Sequence, residues 1–197
     1  SAEQKKDTWI LWSKVLVAAV PAAIVGLLFD DIIDSYLYNP LTVAITLFVY
    51  GVLFIIIEKT KKPANIKNLN DLDYLTALKI GAFQMLALIP GTSRSGSTIL
   101  GASIVGCSRR VASEFSFFLA IPMMFGASLL KLIKLKMSLD FAGIAILLTG
   151  MVVAFVVSVV AIKSLLKYIK KHDFTAFGIY RIVLAVIIAV CLLFEII

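Results

Sequence analysis

At 197 residues and 61% hydrophobic, the chain is too apolar for a soluble domain, and its apolar runs reach the ~20 residues that cross a bilayer. The net charge of +7 does not call for nucleic acid, because the basic residues sit mostly in short segments between apolar runs, as the positive-inside rule expects. Cys107 and Cys191 lie in or beside apolar runs and read as small core residues rather than a disulfide or metal pair.

The first span is expected over 9–29, with Trp9 and Trp12 as interfacial anchors and Pro21 kinking it midway. An exposed acidic loop with Asp30, Asp31 and Asp34 follows, favoured over a metal site, and Pro40 opens a second span to about Ile57. Glu58 to Asp73 is the longest polar connection, with Lys59, Lys61, Lys62 and Lys67, and Asp71 is the expected cap of the next helix. That helix ends at Ile89, short for a full crossing, and a second short helix runs from about Ser95 to Gly106. Further spans are expected over 111–133, 140–162 and 174–197, with Ser164 to Lys171 as a separate basic amphipathic segment at the surface. Glu114 stands one turn from Arg110 and predicts an i,i+4 ion pair, and His172 reads as a solvated loop residue. Arg181, about two turns into the last span, reads as snorkelling to the interface, in preference to adding charge to an anion cavity.

The two short helices flank Pro90-Gly91-Thr92-Ser93-Arg94-Ser95-Gly96-Ser97-Thr98, a polar break in the most apolar part of the chain. An arginine at membrane depth costs at least ~3 kcal/mol on insertion scales, so Arg94 marks a functional site. Pro90 ends the first helix, and Gly91 and Gly96 permit close backbone approach. Hydroxyls and N–H groups at a helix start, with a guanidinium fork, form a cradle for phosphate. Helix packing through small residues accounts for Gly101, Ala102 and Gly106 but not for Arg94. A nucleotide P-loop is rejected, because Ser97 stands at the lysine position and no hydrophilic domain surrounds the motif.

Charge counting favours a re-entrant hairpin over 74–106. If it enters and leaves on the cytoplasmic side, Lys5, Lys6, Lys59, Lys61, Lys62, Lys67, Arg109, Arg110, Lys163, Lys167, Lys170 and Lys171 face inside. Lys131, Lys134 and Lys136 then face out, a split of 12 to 3 against 9 to 6 for a single crossing. Val20-Pro21-Ala22-Ala23 echoes Ile121-Pro122-Met123-Met124, which suggests two related halves. The expected fold is an all-α, polytopic integral membrane helical bundle with a re-entrant helical hairpin and inverted-repeat architecture. It reads as one membrane domain, 1–197, with an incomplete first repeat (1–57) and a second repeat from about 71 to 197.

Gly81-Ala82-Phe83-Gln84, Ala87-Leu88 and the Pro90–Thr98 motif resemble the second signature of the undecaprenyl-diphosphate phosphatase (bacitracin-resistance) family. Glu114-Phe115-Ser116-Phe117, Leu119-Ala120-Ile121-Pro122, Gly178-Ile179-Tyr180-Arg181 and Val20–Ala23 are similar to other family segments. The resemblance implies hydrolysis of undecaprenyl diphosphate to the monophosphate and inorganic phosphate, recycling the lipid carrier of peptidoglycan synthesis in the bacterial inner membrane. It implies a site of Arg94 and Ser93, with Gly91, Ser95, Gly96, Thr98 and Gln84 binding substrate, and Mg²⁺ as cofactor, although no ligand cluster for the metal is evident. The implied partners are a polyprenyl diphosphate and membrane lipids, not nucleic acid, with a homodimer left open. The family's first motif, with its glutamate pair, Pro-x-Ser-Ser element and histidine, has no match here. The chain is therefore expected to be N-terminally truncated and inactive alone. A polyprenyl-phosphate transporter or flippase is the alternative, and a structural subunit the third reading.

Overall fold

The computed structural model describes residues 2–60, 63–134, 141–169 and 172–195. Among them the elements are α1 (Ala2–Leu37), α2 (Pro40–Thr60), α3 (Tyr74–Met85), α4 (Arg94–Ile104), α5 (Arg109–Lys134), α6 (Phe141–Ile169) and α7 (Thr175–Leu193), with 3₁₀ turns at Leu69–Asp71 and Leu86–Leu88. Five of these helices, α1, α2, α5, α6 and α7, are long and apolar enough to cross a membrane. The all-α polytopic class follows from the apolar runs, as expected.

The chain forms two compact units, Ser1–Met123 with Asp173–Ile197, and Met124–His172. In the second, α6 continues unbroken to Ile169, so the basic stretch from Ser164 is its last turns and not a separate surface helix. No glycine or proline intervenes between Ile162 and Ile169 to stop it. His172 is exposed and stacks on Tyr168, the ring centroids 4.3 Å apart. Lys136, Lys170 and Lys171 lie outside the described residues, as do Lys61 and Lys62 of the longest connection.

In the first unit, α1 lies along α3 and α2 along α7. Both pairs meet backbone to backbone. A Cβ on Gly81 would collide with the Ala18 carbonyl, and one on Gly178 would stand 2.7 Å from the Gly51 carbonyl oxygen. Asn39 caps α2, its Oδ1 accepting from Thr42 N at 2.8 Å, with Pro40 in the first helical position. Helix α1 runs through Asp31 and Asp34, which are exposed on its last turns, so the expected acidic loop is helical. Nothing between Gly26 and Leu37 breaks the helix, and Pro21 sits inside it. Trp9 is exposed, whereas Trp12 packs edge-on against Phe118, with centroids 6.0 Å apart.

Helices α3 and α4 form a hairpin. Asp73 caps α3, accepting from Thr76 N at 2.7 Å, in the place expected for Asp71. Asp71 is instead taken up by the preceding 3₁₀ turn, where it accepts from Asn68 N and Nδ2. Helix α4 closes in a Schellman motif, with Cys107 N donating to Ala102 O, Gly106 N to Ser103 O, and Gly106 at φ +96°. The chain entering and the chain leaving the hairpin lie side by side. Asn65 N and Ile66 N donate to Gly106 O, and Ser108 N donates to Ile66 O.

The same end gathers other elements. Glu58, at the end of α2, accepts from Arg109 at the start of α5 and from Phe174 N before α7. Lys14 Nζ of α1 donates to Asn70 O at 3.4 Å. Arg110 pairs with Glu114 at 2.7 Å, the expected i,i+4 pair.

Two predictions follow from this end of the molecule. The Glu58 side chain is 5% exposed and that of Arg109 40%. Glu58→Gln is therefore expected to lower unfolding free energy by about 1–3 kcal/mol, the fully buried figure discounted for screening at Arg109. Thermal unfolding in detergent measures it, and an unchanged midpoint would discard the clamp. Hydrogen bonds from Thr76 hold the Asp73 carboxyl below its ordinary range. A depressed carboxyl stabilises above the unfolded value of about 3.9 and loses that contribution as pH falls through the folded value. Amide protection in the first turn of α3 is expected to fall there, and Asp73→Asn to remove the dependence.

Candidate functional site

The polar break forms the tip of the α3–α4 hairpin. Gly91 has φ +86°, and a Cβ there would collide with Thr46 Oγ1 and stand 2.8 Å from Val43 O on α2. Only glycine meets both demands. Thr46 Oγ1 lies 2.7 Å from Pro90 O, which its hydroxyl reaches as donor. The buried Thr92 hydroxyl is shared between Leu86 O at 2.9 Å and Ile89 O at 2.8 Å. These contacts fix the turn that delivers the chain into α4.

Ser93 caps α4. Its Oγ accepts from Gly96 N at 3.3 Å, and its carbonyl accepts from Ser97 N at 2.9 Å. Its backbone lies at φ 64°, ψ 125°, a region that costs a non-glycine residue about 1–3 kcal/mol. Ser93 is exposed, with Oγ 3.3 Å from Ser95 Oγ. The side chain that starts α4, Arg94, donates from Nη1 to the Ser116 carbonyl of α5 at 3.2 Å.

The expected site residues divide by location. Gly91, Ser93, Arg94, Ser95 and Gly96 are together on the tip. Thr98 is fully buried, within hydrogen-bonding distance of Arg94 O and Ser95 O, with its Oγ1 2.6 Å from Ser116 Oγ. It steadies the residue that holds Arg94. Gln84 is buried on the α3 face that also carries Gly81, and its amide has no hydrogen-bond partner among the described residues. Ser97 is buried and donates to Tyr50 OH at 3.2 Å, tying α4 to α2.

Arg181 corrects the snorkelling expectation. Its Nη1 donates to the carbonyls of Thr92 at 3.0 Å and Gly91 at 3.3 Å. Its guanidinium carbon lies 6.0 Å from the ring centroids of both Tyr50 and Phe54. The turn carbonyls lie within its reach, and the side chain bonds to them. The sequence signal was its depth in the last span, and the direction of the side chain was not legible. Thr46, Tyr50 and Ser116 went unnoticed because isolated hydroxyls in apolar helices carry no spacing signal.

Among the described residues, neither Arg94 nor Arg181 pairs with a carboxylate, and no carboxylate or imidazole hydrogen-bonds the turn. The tip is thus a helix start with two guanidinium groups, two accessible hydroxyls and no counter-charge from the described residues, an arrangement that attracts an anion. No group of three or more His, Cys, Asp or Glu side chains able to hold a metal occurs among the described residues.

A family model described as bacitracin resistance protein BacA matches residues 1–187. A protein of Enterococcus faecalis named undecaprenyl-diphosphatase is 61% identical over 193 residues, covering 95% of this chain and 70% of its own length. One of the same name from Acetivibrio thermocellus is 62% identical over 187 residues, covering 93% of this chain and 68% of that relative. Another from Lachnoclostridium phytofermentans is 54% identical over 187 residues, 94% of this chain and 68% of its own. With a family model spanning nearly its whole length and relatives above half identity, the chain belongs to the bacitracin resistance protein BacA family.

Proposed function

We propose that this chain works as an undecaprenyl-diphosphatase in the bacterial plasma membrane, cleaving undecaprenyl diphosphate to undecaprenyl phosphate and inorganic phosphate. This recycles the lipid carrier of peptidoglycan synthesis and underlies bacitracin resistance. The names of the relatives support the activity. The observation that carries it is the positive turn at the tip of the hairpin, where Ser93, Arg94 and the first N–H groups of α4 lie together with no carboxylate partner among the described residues.

The reading includes a re-entrant hairpin. At 1.5 Å per residue, α3 and α4 are about 18 and 16 Å long, each roughly half of the ~30 Å hydrocarbon core. The tip meets α2 at Val43 and Thr46, some 14 residues and about 20 Å from the Thr60 end. On this reading the phosphate turn lies deep in the bilayer, away from the end that carries Lys59, Lys67, Arg109 and Arg110. We read the hairpin as part of the second of two inverted repeats, about 71–197.

Phosphoryl transfer asks a protein mostly for position and charge stabilisation. Arg94 and the α4 N–H groups hold the phosphate oxygens and the charge that develops on them. Ser93 adds a hydroxyl, and its cap keeps the N–H groups aimed. The residues on the turn supply no general base, so we assign them binding and transition-state stabilisation. They do not fit a resident Mg²⁺ either. That ion asks for carboxylate and water oxygens, and the turn offers two cations instead.

Release of inorganic phosphate from undecaprenyl diphosphate in detergent, by a protein that joins this chain to the family's first motif, tests the reading. Arg94→Ala is expected to abolish it. Arg94→Lys keeps the charge but loses the planar fork, so kcat/KM should drop at least tenfold. Near-normal activity in that variant would remove Arg94 from the site. Gly91→Ala is expected to weaken diphosphate binding by a similar factor, because its Cβ forces the turn off α2. Binding without release from a folded protein that also carries the family's first motif would favour a polyprenyl-phosphate transporter.

A further inference from the structure

Arg181 does more at the tip than brace it. The guanidinium has five N–H donors in a fixed plane, and Nη1 accounts for the two bonds to Gly91 O and Thr92 O. Nη2 points elsewhere. A Cβ built on Gly96 would stand 3.3 Å from Arg181 Nη2, 3.4 Å from Ser93 Cβ and 3.5 Å from Ser93 Oγ. Nη2 and the Ser93 hydroxyl therefore both border the bare α-carbon of Gly96, at the start of α4. The Tyr50 and Phe54 rings beside the guanidinium limit its freedom to move away.

Arg94 starts α4 at the same turn, and its side chain is tethered to the Ser116 carbonyl of α5. Both arginines are held by main-chain carbonyls, which orient a guanidinium without neutralising it. The turn thus presents two oriented positive charges from two different helices. A single phosphate monoester carries about −1.5 to −2 at neutral pH on one phosphorus. A diphosphate spreads more charge over two phosphorus centres, and two separate forks match it better than they match one.

We propose that Arg181 is a second headgroup ligand, and that together with Arg94 it makes the turn selective for a lipid diphosphate over the monophosphate. The proposal rests on the lipid-diphosphate reading and assigns the discrimination within it. Arg94 and the α4 N–H groups hold one phosphate, and Arg181 Nη2 holds the other. Once the terminal phosphate has left, one of the two forks is without a partner, and the lipid monophosphate departs.

The test is a pair of binding titrations on the full chain in detergent, with farnesyl diphosphate and farnesyl monophosphate as short-chain probes. The wild-type chain should bind the diphosphate at least tenfold more tightly. Arg181→Gln should weaken diphosphate binding at least tenfold and monophosphate binding less than threefold, so that the preference collapses. Arg181→Lys should restore part of it. Equal weakening of both probes would make Arg181 a brace only, and no weakening would remove it from the site; either result overturns the proposal. If Arg181→Gln does not fold, Gly96→Ala takes its place, since its Cβ enters the gap beside Nη2. The same collapse of preference supports the proposal, and equal effects on both probes overturn it. A folded wild-type chain that binds neither probe, or shows no preference, would defeat the underlying lipid-diphosphate reading and the proposal with it.

Discussion

A polar turn can exist at membrane depth only if the protein satisfies its backbone, because lipid offers no hydrogen bonds. On the re-entrant reading proposed above, the tip of the α3–α4 hairpin meets this requirement carbonyl by carbonyl. Leu86 O and Ile89 O take the Thr92 hydroxyl and turn N–H groups, and Pro90 O takes Thr46. Gly91 O and Thr92 O take Arg181, and Ser93 O takes Ser97 N. The donors come from α2, α7 and the hairpin itself, so the pairing of α2 with α7 and the seating of the hairpin against α2 serve one demand. The bare contacts at Gly51, Gly91 and Gly178 bring those donors within reach.

That accounting also explains how one short motif does two jobs. Thr92, Ser97 and Thr98 are buried and bonded inward, to carbonyls, to Tyr50 and to Ser116. Ser93, Arg94 and Ser95 remain on the accessible side. The hydroxyl-rich composition that reads as a ligand cradle is in part the scaffold of that cradle. The charge comes from two arginines about ninety residues apart in sequence, joined by the fold at a single turn.

Much of this was legible in the chain. Apolar runs of ~20 residues predict spans, and α2, α5 and α7 fall close to the expected limits. Arg94 between two glycines in an apolar background marks the tip, because the cost of burying it demands a reason. What the chain hid was mostly direction and competition. Asp71 and Asp73 both qualify as caps, and the 3₁₀ turn between Asn68 and Leu72 decides between them. Asp31 and Asp34 look like a loop by composition, yet no breaker stands between Gly26 and Leu37 and the helix runs on. Arg181 stands near enough to a helix start to snorkel, and only the location of the unpaired carbonyls sends it the other way. The hydroxyl of Thr98 looks no different in sequence from that of Ser93, and burial alone separates them.

The twisted backbone of Ser93 sets folding and chemistry against each other. Glycine would relax that residue, since φ 64° carries no penalty without a Cβ. The same change would delete the hydroxyl that caps α4 and borders Gly96 beside Arg181. A chain selected for robustness alone would drift toward glycine at this position, and a chain that keeps serine retains a local weakness at its tip. Stabilising variants of this fold therefore have a ready route to a firmer protein with an emptier cradle, and screens that score only thermal tolerance will find it.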